Sequence, residues 1–134
     1  MKKAMRYFTP EEANHMLPLV RAIVRDILEK GNDLRSLGTE GRGVSPRFQK
    51  AMAEITSLIA ELEKLGCSYK DIGFQTGLVD FPALINGQEI FLCWQSDEEA
   101  IVHYHRDDEG FAARRRIPPN WYSAPAHLFA QGVA

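Results

Sequence analysis

The chain has 134 residues, 45% of them hydrophobic and 25% charged, with a formal net charge of −2 at pH 7. That length suffices for one domain with a core, and the near-neutral charge gives no electrostatic basis for nucleic-acid binding. No segment is apolar over the length a bilayer demands, and the basic start Met1-Lys2-Lys3-Ala4-Met5-Arg6 leads into no signal-peptide core. Two cysteines, Cys67 and Cys93, with no Cys-x-x-Cys, exclude a disulfide framework. The expectation is a soluble protein of a bacterial-type cytoplasm with reduced thiols.

The first helix has a clear start. Thr9 is a favoured N-cap, Pro10 suits the first helical position, and Glu12 stands three residues after the cap, which makes a capping box. Apolar residues follow at 16, 20, 23, 27, 34 and 37, widened by Leu17, Val24 and Leu28. These steps of three and four are those of a helical seam. Pro18 removes the hydrogen bond to the Asn14 carbonyl, and Gly31 weakens the helix. Gly38 to Ser45, which contains three glycines and no apolar run beyond Val44, reads as a loop. Ser45-Pro46 then starts a second helix with Phe48, Met52, Ile55, Ile59 and Leu62 on its apolar face, stopped by Gly66. Matching seams and a short connection predict an antiparallel hairpin. Its continuous stripe from Met16 to Leu37 predicts a homodimer through the helices.

From Cys67 the hydrophobic period becomes two. Asn86-Gly87 between alternating segments predicts a type I′ hairpin, and Ser96-Asp97-Glu98-Glu99 predicts the next turn. A short strand over 69–72 is expected ahead of them. The two-residue loop pairs Ile85 with Gln88, Phe81 with Leu92 and Asp80 with Cys93. A four-residue second loop would pair Gln95 with Ala100, Leu92 with His103 and Ile90 with His105. Both histidines then face the helices, while Asp80, Cys93 and a Glu89–Arg106 ion pair share the opposite face. The segment 118–134, rich in proline and aromatics, is expected to dock as a tail on its own domain (1–117) or on a neighbouring subunit.

Three groups carry potential chemistry. His103-x-His105-x-Asp107 sets three donors on one strand face. Imidazole and carboxylate together suit a divalent first-row metal, with Glu12 and His15 of the first helix as further donors. The alternative is a half-buried histidine bonded to backbone or carboxylate. Asp80 interrupts an apolar strand and needs hydrogen bonds or a cation such as Arg114; it is either a structural carboxylate or, if it meets His105, a general base. Cys93 reads as an inert packing residue. Arg114-Arg115-Arg116 reads as a solvated strand end.

Tyr7-Phe8-Thr9, Glu11-Glu12-Ala13-Asn14, Leu17-Pro18, Lys70-Asp71, Gly77 to Ala83, Leu92-Cys93-Trp94, His105 and Gly110-Phe111-Ala112 resemble the bacterial domain of unknown function 2203, from about Tyr7 to Arg114. Ala113-Arg114 stands where that family commonly has Gly-Arg. The resemblance implies a small bacterial protein without an assigned biochemical role. The sequence therefore predicts an α+β fold: a long antiparallel helical hairpin on a three- to four-stranded antiparallel β-meander. The leading functional expectation is a homo-oligomerising binding or scaffold domain without nucleic-acid or membrane partners. The alternative is a metal-binding protein or metal-dependent enzyme using His103 and His105.

Overall fold

The computed structural model describes residues 6–38, 45–71 and 73–122. Helix α1 runs Pro10–Gly38 and α2 runs Pro46–Leu65. The capping box forms: Glu12 N–H donates to Thr9 Oγ1 at 3.1 Å and Thr9 N–H to Glu12 Oε1 at 2.9 Å. Ser45 Oγ accepts from Phe48 N–H at 3.1 Å to start α2. Gly66, at φ 102°, ends it, and Cys67 N–H bonds back to the Leu62 carbonyl. No helix among the described residues is long and apolar enough to cross a membrane.

Leu17, Val20, Ile23, Val24, Ile27 and Leu34 of α1 are buried in one cluster with Ala51, Ile55 and Leu62 of α2 and the inner face of the sheet. Most of the stripe behind the homodimer expectation is thus covered within the single chain, with Met16, Leu28 and Leu37 half-buried. Only Leu19 and Met52 of the helices are exposed large hydrophobics among the described residues.

The sheet has five antiparallel strands among the described residues, more than the three or four expected. They are β1 (Ser68–Tyr69), β2 (Leu78–Ile85), β3 (Gln88–Gln95), β4 (His103–Arg106) and β5 (Arg115–Arg116), in spatial order β1-β2-β3-β4-β5. Asn86 and Gly87 take φ 51° and 78°, as a type I′ turn requires, and the β2–β3 register is the expected one. Pro82, which lacks an N–H, lies where β1 has ended, and its carbonyl instead accepts from Phe8 N–H at 2.8 Å.

The β3–β4 register is one residue away from the expected one. Cys93 pairs with His103, Leu92 with Tyr104, Phe91 with His105 and Ile90 with Arg106. Because the side-chain period is two, this slip moves both histidines to the outer face, with Asp80 and Cys93. Glu89 accordingly does not oppose Arg106: it stands across from Leu84 and accepts from Tyr7 Oη at 3.1 Å.

The connection into β4 is held by side chains outside the ladder. Asn14 Oδ1 accepts from Ile101 N–H at 2.8 Å, and its Nδ2 donates to the Ile101 carbonyl at 3.2 Å. Both backbone groups of Ile101 are taken, so it cannot enter the ladder. Val102 is diverted too, since its carbonyl accepts from Ile117 N–H at 2.8 Å. At the end of β3, Gln95 N–H turns to Glu98 Oε1 at 2.8 Å. Arg21 holds the same connection to α1 through the Glu99 carbonyl at 2.9 Å. Beyond β5, Trp121 packs on Tyr104 with ring centroids 5.0 Å apart, and Tyr122 Oη donates to the Ile101 carbonyl at 2.9 Å. The start of the tail therefore docks on its own domain; the expectations for 123–134, for most of the 38–45 loop and for residue 72 lie outside the described residues.

Two measurements check this packing. Asn14→Ala strands the Ile101 N–H, so urea unfolding is expected to lose about 1–3 kcal/mol of stability. Gly31 sits in mid-helix, where alanine is normally better by about 1 kcal/mol. A Cβ there would collide with Phe74 Cβ, so Gly31→Ala is expected to lower stability by about 1–3 kcal/mol instead; a stabilised variant would contradict the packing described.

Candidate functional site

The outer face of the sheet carries a polar cluster beneath the segment that follows β4. Asp80 of β2, Cys93 of β3 and His105 of β4 come from three adjacent strands. Asp80 and Cys93 are direct cross-strand partners, and His105 lies diagonally across, opposite Phe91. All three are buried, at 6%, 2% and 6% exposure. One donor atom from each falls within 4.8 Å of the other two. His105 is clamped at both ring nitrogens: Nε2 is 3.1 Å from each carboxylate oxygen of Asp80, and Nδ1 is 2.8 Å from the Arg106 carbonyl. The Phe91 ring stacks against it at 5.5 Å.

Both neighbours of the ring are acceptors, so a doubly protonated His105 satisfies both at once. The hydrogen bond to Asp80 raises the His105 pKa above its ordinary 6.5, with burial working against it. Burial, reinforced by the Asp80 charge, pushes the Cys93 thiol up to about 12, although Arg114 beside it acts the other way. Without a cation the cysteine is therefore a neutral thiol.

A second layer surrounds the three. Arg114 Nη1 donates to Glu98 Oε1 at 3.0 Å and its Nη2 pairs with Oε2 at 2.9 Å, while the guanidinium lies within hydrogen-bonding reach of Cys93. It serves Glu98 and Cys93 rather than Asp80. His103 has its Nδ1 3.3 Å from Glu98 Oε2, off the axis of a good hydrogen bond. Its pKa is lowered, first by burial and then by Arg114, which leaves it neutral at pH 7.

The sequence-predicted donors are thus divided. The structure brings His105 and Asp80 together, with Arg114 in the next layer. Asp107 stays at the exposed mouth of the pocket over the cluster, and His103 turns to Glu98. Glu12 is engaged in the capping box of α1 and His15 is exposed on the same helix; neither joins the cluster. Cys93 is the member that sequence reasoning missed, although its pairing with Asp80 was already implied by the Asn86-Gly87 turn.

The pocket has a volume of about 440 Å³. Its floor is the cluster, its walls include Leu78, Phe91 and Phe111, and Lys70 stands at its mouth.

A pH titration of the metal-free protein checks these environments. The two imidazole signals followed by NMR should separate, His105 with its midpoint above 6.5 and His103 below it. A folded-state value raised above the unfolded one means that the stabilisation from the His105–Asp80 pair is full below about pH 6.5 and disappears as pH rises through the raised folded value. The reverse order of midpoints would contradict the hydrogen-bond pattern.

No curated protein and no solved structure shows significant similarity to the chain. Residues 6–117 match the family described as "Uncharacterized conserved protein (DUF2203)", and the chain belongs to that family.

Proposed function

We propose that the protein binds a divalent first-row metal ion through Asp80, Cys93 and His105. The observation that carries this reading is the convergence of three buried donor atoms within 4.8 Å. Tetrahedral coordination at about 2.0–2.3 Å separates ligand atoms by roughly 3.3–3.8 Å, so closure of about 1 Å is enough. Thiolate, imidazole and carboxylate are a donor set suited to zinc-like ions. The bond between His105 Nδ1 and the Arg106 carbonyl supports it further. It selects the tautomer that presents Nε2 to a metal, the usual outer contact of a ligating histidine. Arg114 beside Cys93 favours the thiolate that a metal requires.

A scaffold role through helix association has less support, because α2 and the sheet already bury most of the stripe that would drive it.

The test is a zinc and cobalt titration of protein purified without a histidine tag, with elemental analysis as a second readout. One ion per chain is expected, with a thiolate-to-cobalt charge-transfer band in the near ultraviolet. Cys93→Ser and His105→Gln should each weaken binding by at least 100-fold, whereas His103→Gln should leave the stoichiometry intact. Cobalt binding without the thiolate band, or undiminished in both ligand variants, would refute the assignment.

A further inference from the structure

The three donors belong to neighbouring strands of one sheet, so they approach a bound ion from one side. The other side of the ion would face the pocket. Closed structural sites carry four protein ligands, whereas three with an exchangeable position are the mark of sites that engage a small molecule. Two further carboxylates line the pocket, and neither belongs to the donor group: Asp107 is exposed at the mouth, and Glu109 is engaged by Arg115 at 3.0 and 2.9 Å and by Arg106 N–H at 3.1 Å.

The space above the open position has a definite chemistry. Leu78, Phe91 and Phe111 give it apolar and aromatic walls. Phe111 is held in place by the Arg114 guanidinium over its ring at 4.2 Å. Lys70 is the pocket's cation and is exposed, with no ion-pair partner among the described residues. Its backbone is anchored, since Lys70 N–H donates to the Leu78 carbonyl at 2.8 Å. A divalent ion with one thiolate, one carboxylate and one neutral imidazole carries no net charge. A single anionic oxygen donor can then complete it, balanced by Lys70. Asp107, exposed at the same mouth, opposes a second negative charge.

Resting on the metal assignment above, we infer that the open coordination position and the pocket over it form one binding site for a small monocarboxylate with an apolar or aromatic body. The carboxylate would meet the metal and Lys70, and the body would lie between Phe91 and Phe111. Concave, largely apolar sites with a few convergent polar groups are the usual form of small-molecule sites.

The experiment uses the cobalt-loaded protein and sodium benzoate as the probe. Benzoate is expected to shift the visible cobalt d–d bands saturably, while benzylamine, the same ring bearing a cation, leaves them unmoved. Lys70→Ala should raise the benzoate Kd about three- to five-fold, as expected for an exposed charge pair, and Phe111→Ala should raise it further. Both residues are exposed, and both variants should bind cobalt as the parent does. Cobalt bound with its thiolate band but with d–d bands indifferent to benzoate would overturn this inference and leave the metal assignment standing. Equal responses to benzoate and benzylamine would also overturn it. Failure to bind cobalt at all would overturn both.

Discussion

A side chain on the first helix ties down the connection that leads into the outer half of the sheet. The Asn14 carboxamide offers one acceptor and one donor, and Ile101 presents the complementary pair. The amide thereby stands in for a neighbouring strand. A buried peptide group left unpaired costs about 1–3 kcal/mol, so a partner at this point decides where the chain goes. With Ile101 tied to α1, the connection after β3 peels away and β4 pairs from His103 onward. The register that β4 then adopts is what delivers His105 to Asp80.

The cluster so assembled is an expensive thing to bury. An isolated carboxylate inside a protein is strongly disfavoured, and a buried ion pair seldom gains more than a well-packed apolar replacement. Asp80 is accommodated by two bonds from His105 Nε2, and Arg114 is neutralised by Glu98. The buried charges of the cluster and Arg114 therefore have opposites, yet an apolar sheet face would have been simpler. Polar groups kept in such a setting accord with a functional use, and the donor types match those of a metal site.

The surroundings show the same economy of placement. The Asp71 carboxylate accepts from Gly73, Gln75 and Thr76 N–H groups at 3.1, 2.8 and 2.7 Å. It thereby organises the turn between Lys70 and β2. Arg35 of α1 reaches the Gly73 and Phe74 carbonyls at 3.2 and 3.0 Å, and Gly31 lets that turn approach the helix. On the far side, Glu109 and Arg115 brace the segment that carries Phe111. Both walls of the pocket are thus held by contacts outside it, which leaves Lys70 and Asp107 at its mouth.

Local chemistry made much of the fold readable from the chain alone. The capping box at Thr9-Glu12, the Ser45-Pro46 start, the Gly66 stop and the Asn86-Gly87 turn each depend on residues within a few positions of one another. The β2–β3 register and the Asp80–Cys93 pairing follow from that turn. The outer half of the site does not, because the β3–β4 register depends on Asn14 and Ile101, 87 residues apart. A turn of flexible length specifies no register by itself, and the balance was tipped by a hydrogen bond that exists only once α1 lies on the sheet. The residue types of the cluster were therefore written in the sequence, whereas which of them meet was decided by tertiary packing, since a one-residue slip reverses the face of every side chain in a strand.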